Sequence, residues 1–306
     1  MRVGVVDLGT NSTRLLVADV NDGRVEEVVR RTEITRLGEG VDERGKLLPL
    51  PIARVRNVLA DYRRELEELG AERTLAVGTS AIRDADNGDA FLGEVEWSYG
   101  FKTRVLSGEE EAELTLRGVA GGRELEPGTL VVDVGGGSTE LIADGFRTSL
   151  DLGSVRLTER FLHSDPPTRD ELEAAARAVR DALPDLEPTQ AIGVAGTITT
   201  LAALELGEYD PERVHGYRIS RGAVEAQLER LASLPLAERR ELPGLEPERA
   251  PVIVAGAVIV REVLDRYGLD ELEVSERDIL HGAALEAAAL PPAEEGDAPP
   301  GAYTCC

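Results

Sequence analysis

Two short stretches of this chain repeat one arrangement of an acid, glycines and hydroxyls: Asp7-Leu8-Gly9-Thr10-Asn11-Ser12-Thr13 and Asp133-Val134-Gly135-Gly136-Gly137-Ser138-Thr139. Glycine accepts positive φ and lets backbone N–H groups come close to a ligand. Several such N–H groups turned inward make a nest for an anion. The hydroxyls of Thr10, Ser12, Ser138 and Thr139 can add hydrogen bonds. Asp7 and Asp133 would repel a bare phosphate. They make sense where a divalent cation or an attacking water stands between the acid and the phosphate. A single glycine-rich turn reads as a tight hairpin; two matched turns with paired acids read as phosphate binding.

The match extends on both sides. Val5 to Leu16 aligns without gaps on Val131 to Ile142, with seven of the twelve pairs identical. Such self-similarity implies two related lobes, each opening with a phosphate-sized turn, and a cleft between lobes is where ligands usually bind.

The elements that must carry these turns follow from periodicity. Val3–Asp7 and Arg14–Val20 read as strands around the first turn, with a third strand at Val25–Thr35. Pro51–Leu69 has helical spacing; Thr74–Val77 and Thr103–Leu106 are short buried strands, and Gly108–Gly118 is a helix. The pattern restarts with strands at Leu130–Val134 and Thr139–Ala143 and helices at Gly153–Leu162 and Thr168–Leu183. A strand at Ala191–Ala195 leads through Gly196-Thr197 into an apolar helix, and the last helices are expected at Ser220–Leu231, Glu246–Tyr267 and Glu276–Leu290. From Pro291 the chain is rich in Pro, Gly and acid and reads as a disordered tail. The expected organisation is an α/β chain with lobes at 1–124 and 125–290 and a tail at 291–306.

Other residues could do chemistry. Glu109-Glu110-Glu111 opens a helix, where the dipole favours acids whatever their function. Arg83 precedes Asp84 and Asp86 and, taken alone, reads as a member of a surface ion pair. Gly196 and Thr197 sit between strand and helix, a natural anion site or a point of tight packing. His163, His215 and His281 have no partners at metal-ligand spacing and read as structural or surface residues. A Walker A loop, a G-x-G-x-x-G fingerprint and a G-x-S-x-G elbow are all missing, which removes P-loop, dinucleotide and Ser-His-Asp readings.

These residues bring a family into view. The two glycine turns resemble the phosphate loops of the exopolyphosphatase/guanosine pentaphosphate phosphatase family. Gly78-Thr79-Ser80-Ala81-Ile82-Arg83-Asp84-Ala85, Leu106-Ser107-Gly108-Glu109-Glu110-Glu111-Ala112 and Gly193-Val194-Ala195-Gly196-Thr197 fit the same family, in the same order, over about residues 1–290. The resemblance implies two actin/hexokinase-like (ribonuclease H-like) lobes with a ligand cleft between them. It implies a hydrolase releasing terminal phosphate from inorganic polyphosphate or guanosine pentaphosphate. It marks Glu111, immediately before the alanine, as the base that activates water, with Glu110 the second choice. It makes Arg83 a phosphate ligand beside Thr10, Asn11, Ser12, Gly135, Gly136, Gly137, Ser138, Thr139, Gly196 and Thr197. The expected mechanism is direct hydrolysis with Mg²⁺ on Asp133 and Glu140, Asp7 being a further candidate ligand. Kinases of the same superfold and a sensor that binds without turnover are the alternatives.

Composition bounds these readings. The balance of 34 basic against 58 acidic residues gives a net charge of −24, which disfavours a nucleic-acid binder. No apolar run is long enough for a membrane span, and the N-terminus lacks the form of a signal peptide. With Cys305 and Cys306 the only cysteines, a reducing cytoplasm is expected. Long family members carry further C-terminal domains. A chain of two lobes with this charge is expected to favour short polyphosphates, and a homodimer is compatible with it.

Overall fold

The computed structural model describes residues 1–122 and 124–291. The chain divides into two units, and each begins with the same three-stranded motif. In the first unit, β1 (Arg2–Leu8), β2 (Thr13–Asn21) and β3 (Arg24–Glu33) form an antiparallel meander, and β4 (Arg73–Gly78) and β5 (Lys102–Val105) add in parallel, for a sheet order β3-β2-β1-β4-β5. β1 is apolar almost throughout because it is central and covered on both faces. β3, at the edge, carries Arg24, Glu26, Glu27, Arg30, Arg31 and Glu33, a composition that discourages pairing with another chain.

Helices cover this sheet: α1 (Val41–Arg44), α2 (Pro49–Glu68), α3 (Ser80–Arg83), α4 (Gly88–Tyr99) and α5 (Gly108–Ala120). The 20-residue α2 starts at Pro49, whose fixed φ suits a first helical turn. Its buried Val55, Leu59, Tyr62 and Leu66 follow helical spacing and pack against Val6, Leu8, Leu15 and Val17. Val3, Val5, Leu16 and Ala18 point to the opposite face, toward Leu114 of α5. Strand alternation therefore puts Asp7 on the α5 face, in line with Val3 and Val5.

The second unit repeats the plan. β6 (Thr129–Val134), β7 (Thr139–Ala143) and β8 (Phe146–Leu150) form the meander; β9 (Gln190–Val194) pairs with β6 in parallel, β11 (Glu271–Val274) with β9, and β10 (Arg218–Ser220) lies antiparallel at the edge. The order β8-β7-β6-β9-β11 matches β3-β2-β1-β4-β5, so the sequence repeat is a repeat of topology. The helices are α6 (Ser154–Phe161), α7 (Arg169–Ala182), α8 (Ala195–Leu206), α9 (Pro211–Val214), α10 (Arg221–Ser233), α11 (Leu236–Arg239) and α12 (Ile253–Tyr267). Their core gathers Leu130, Val132 and Val134 with Ile198, Leu201, Val258 and Val263.

Two expectations need correction. The helix expected over Glu246–Tyr267 starts only at Ile253, after a 3₁₀ turn at Pro247–Arg249; Pro251 disfavours helical backbone just before it. The last helix, α13 (Ile279–Ala289), was expected in the second lobe but packs in the first, so the second unit is Glu124–Asp278. Its Leu280, Ala283, Ala284 and Ala287 join the cluster of Val3, Val5 and Leu16. Gly282 lets it approach α5, since a Cβ there would lie 2.0 Å from the Leu114 carbonyl oxygen. The Arg104–Glu286 pair (2.8 Å) and His281 Nε2 against Glu27 (2.9 Å) fix it further. Apart from Pro291, the tail expected over 291–306 lies outside the described residues.

Candidate active site

In each unit the glycine turn is closed by the same bond. Gly9 N–H donates to the Ser12 carbonyl and Gly135 N–H to the Ser138 carbonyl, both at 3.0 Å. The strand register then sets Asp7 opposite Arg14 and Asp133 opposite Glu140.

In the first unit the Thr10 and Asn11 carbonyls accept from Gly38 and Arg36 N–H groups at 2.8 Å. They are thus turned into the 36–38 segment, away from the turn's own N–H groups. The approach needs a glycine at 38, where a Cβ would lie 2.2 Å from Thr10 Cγ2. Thr10 Oγ1 and Asn11 Oδ1 are buried and have no protein partner. Buried polar atoms are normally satisfied, so this pair is suited to a ligand. Asp7 Oδ2 accepts from Arg14 Nε at 2.9 Å and from Nη2 at 2.7 Å. The first turn thus carries its own cation in Arg14.

Glu111 stands apart from its acidic neighbours. Ser107 and Glu110 form a capping box at the start of α5: Ser107 Oγ accepts from Glu110 N–H, and Glu110 Oε2 accepts from Ser107 N–H at 2.8 Å. That backbone donor, with Arg104 second, holds the Glu110 carboxyl below its usual range. Glu109 is exposed. Glu111 is 8 % exposed and lies on the buried side of α5, where Arg83 Nη1 donates to its Oε2 at 3.1 Å and to the Leu106 carbonyl at 2.9 Å.

In the second unit Asp133 and Glu140 are both buried, Glu140 to 1 % exposure. Directly opposed residues on antiparallel strands have Cβ atoms about 5 Å apart, where like charges repel. Ser149 Oγ donates to Glu140 Oε1 at 2.7 Å. Among the described residues no cluster of three or more His, Cys, Asp or Glu could hold a metal. Two carboxylates suit Mg²⁺, which keeps several waters and takes substrate phosphate oxygens.

Behind this loop lies α6. Ser154 N–H donates to the Gly135 carbonyl (3.0 Å) and Val155 and Arg156 N–H to that of Gly136 (2.8 and 3.2 Å). The loop carbonyls are thereby drawn toward the helix, and among the described residues the N–H groups of Gly136 and Gly137 donate to no protein acceptor. Gly153 makes this packing possible, since a Cβ there would lie 2.3 Å from the Gly136 carbonyl carbon. Arg156, largely buried, adds positive charge to the same helix turn. The Thr139 hydroxyl donates to the Leu152 carbonyl at 2.5 Å, so its proton is already used within the fold.

Gly196 and Thr197 open α8. The Arg249 guanidinium lies directly on Gly196, whose Cβ would come within 2.1 Å of Nη1; Thr197 is packed against Gly256. Just before them Ala195 adopts φ +70, a conformation that costs an L-residue about 1–2 kcal/mol. Ala195→Gly is therefore expected to raise the melting temperature, with a net gain of about 0.5–1 kcal/mol after the added chain entropy of glycine. Calorimetry checks it; an unchanged or lower melting temperature would mean that the strain is already relieved. Gly38, Gly153, Arg156 and Arg249 escaped the sequence reading. Each acts on a loop 16 or more residues away in sequence, and no local pattern marks such a contact.

A central sheet of order 3-2-1-4-5, occurring twice with a phosphate-sized turn between its first two strands, defines the actin/hexokinase-like (ribonuclease H-like) superfold. Residues 16–289 match the Ppx/GppA phosphatase family. The chain is 42% identical over 315 aligned positions to Exopolyphosphatase 2 of Mycobacterium tuberculosis, covering 94% of this chain and 98% of that protein. It is 31% identical to the guanosine-5'-triphosphate,3'-diphosphate pyrophosphatase of Vibrio vulnificus, over 92% of this chain and 58% of the relative. The solved Aquifex aeolicus PPX-GPPA enzyme superposes with a TM-score of 0.79 at 35% identity, covering 94% of this chain and 99% of that one. The chain belongs to the Ppx/GppA phosphatase family, and it is a hydrolase acting on phosphoanhydride bonds. Among the described residues no helix is long and apolar enough to cross a membrane.

Proposed function

We propose that this enzyme releases terminal phosphate from inorganic polyphosphate or guanosine pentaphosphate by direct attack of water. The observation that carries the reading is the pair of identically closed turns whose carbonyls are held away, with the Thr10 hydroxyl in one and the Gly136 and Gly137 N–H groups in the other left for an anion. Thr10, Asn11 and Ser12 in one lobe, and Gly135, Gly136, Gly137 and Ser138 in the other, take phosphate oxygens, with Arg83 and the Gly196-Thr197 helix start assisting. Glu111 takes a proton from water as the new O–P bond forms. The terminal anhydride P–O bond breaks, and the bridging oxygen leaves with the shortened chain. Asp133 and Glu140 would hold Mg²⁺, which supplies offsetting charge for the phosphoryl group. The enzyme acts in the cytoplasm, consistent with cysteines confined to positions 305 and 306.

Short substrates are favoured. A net charge of −24 surrounds the loops with a field that repels a long polyanion. Products of a long, uniform polyphosphate are therefore expected to shorten gradually as a population on a gel. Full-length chains coexisting with free phosphate and nothing between would mean processive action instead. The same assay run with guanosine pentaphosphate ranks the two substrates. Tight binding without phosphate release would mean a sensor, and transfer to an acceptor other than water a kinase.

A further inference from the structure

The pairing of Arg83 with Glu111 links two tasks assigned to separate residues. Arg83 Nη1 is shared between the Leu106 carbonyl (2.9 Å) and Glu111 Oε2 (3.1 Å), and the Glu111 side chain is 10 % exposed. We propose that this ion pair is a latch on the general base: an incoming phosphate draws Arg83 from Glu111, and the carboxylate gains proton affinity only when substrate is bound. The proposal rests on the reading of Glu111 as base and Arg83 as phosphate ligand.

A cation within hydrogen-bond reach holds a carboxylate's proton affinity down, and a nearby anion raises it. A base works best with its pKa near the operating pH, so a carboxylate still paired with arginine is a weak base. Phosphate offers the guanidinium two oxygens in fork geometry, a stronger match than one oxygen at 3.1 Å. Transfer of Arg83 to phosphate removes the depressing charge and places an anion nearby. Both changes act in the same direction. Without substrate, Glu111 is left a poor base toward stray water.

Several of the neighbouring charges have partners of their own. On α5, Glu110 is engaged by Ser107 and Arg104, and Glu109 is exposed. On α3, Asp84 Oδ1 lies 3.8 Å from Arg83 Nε and competes mildly for the same guanidinium. On α13, Glu286 pairs with Arg104 and lies 3.9 Å from Arg117, while His281 pairs with Glu27. Asp7 and Arg14, on β1 and β2, pair with each other.

The test is the pH dependence of kcat and kcat/KM on tripolyphosphate with Mg²⁺ for the wild type, Arg83→Gln and Arg83→Lys. Substrate ionisation is common to all three and cancels. In the wild type the acid limb of kcat/KM, which reports the free enzyme, should lie below that of kcat. In Arg83→Gln it should rise by about one pH unit, closing the gap. Arg83→Lys should keep the wild-type limb while its KM rises. An Arg83→Gln enzyme weakened evenly at every pH, with its limb unmoved, would make Arg83 a phosphate ligand only and overturn the latch. Should Arg83→Gln not fold, carboxyl ¹³C titration of wild-type Glu111, assigned with Glu111→Gln, decides. A higher pKa with tripolyphosphate than without supports the latch, and an equal or lower one sinks it. Glu111→Gln with near-wild-type turnover would remove the parent reading instead.

Discussion

Glu111→Gln is expected to lower kcat by about 10²–10⁴-fold, the usual cost of removing a positioned general base, with little change in KM or in the melting temperature. The amide is nearly isosteric and can still accept from Arg83 Nη1, so the packing of a side chain 8 % exposed is kept. What is lost is the ability to take a proton. Glu110→Gln provides the comparison. It removes a charged acceptor from the Ser107 cap and from Arg104. It should therefore cost stability, about 0.5–1 kcal/mol as for a weakened cap, and leave turnover near wild type. The reverse outcome, with Glu110→Gln inactive and Glu111→Gln active, would place the base one residue earlier.

That comparison also shows how far the sequence could be read. The gapless repeat made two lobes legible, because β1 and β6 are central strands whose apolar runs need no partner to be recognised. Choosing Glu111 among three acids depended on family resemblance, although the residues held a physical clue. Ser107 followed by Glu110 is a capping box, which commits Glu110 to the helix start and leaves Glu111 one step further round. The glycine turns were legible as anion nests, yet their supports were not. Gly38 and Gly153 matter because of the atoms a Cβ would strike, Thr10 Cγ2 and the Gly136 carbonyl. The placement of α13 was illegible for a related reason. Ile279, Leu280, Ala283, Ala284 and Ala287 make a helix fit to be buried anywhere, and only packing on Val3, Val5 and Leu114 shows which lobe it completes. α4 was missed because Phe91, Leu92 and Val95 are its only large buried hydrophobics, too few to impose a period over twelve residues.

The cross-strand contrast between the two turns leads to the second large effect. Asp7 faces an arginine and Asp133 faces a glutamate, at the same place in the same topology. The second turn opposes a carboxylate to a carboxylate in register, at 6 % and 1 % exposure. Such a pair is stable when a divalent ion or a shared proton stands between its members. Catalysis of phosphoryl transfer asks for the ion, since charge stabilisation is most of what the protein must provide. Exhaustive chelation is therefore expected to abolish phosphate release, and Mg²⁺ or Mn²⁺ to restore it. Asp133→Asn and Glu140→Gln should each cost at least about 10²-fold, consistent with a metal contribution of several kcal/mol. Titration calorimetry with Mn²⁺ and tripolyphosphate gives a readout independent of turnover: the double variant should lose the metal-dependent heat, whereas Asp7→Asn should keep it. Full activity after chelation would remove the metal from the mechanism. Loss of the heat in Asp7→Asn, but not in the double variant, would move the ion to the other lobe and make the Asp7–Arg14 pair a state that metal binding must open.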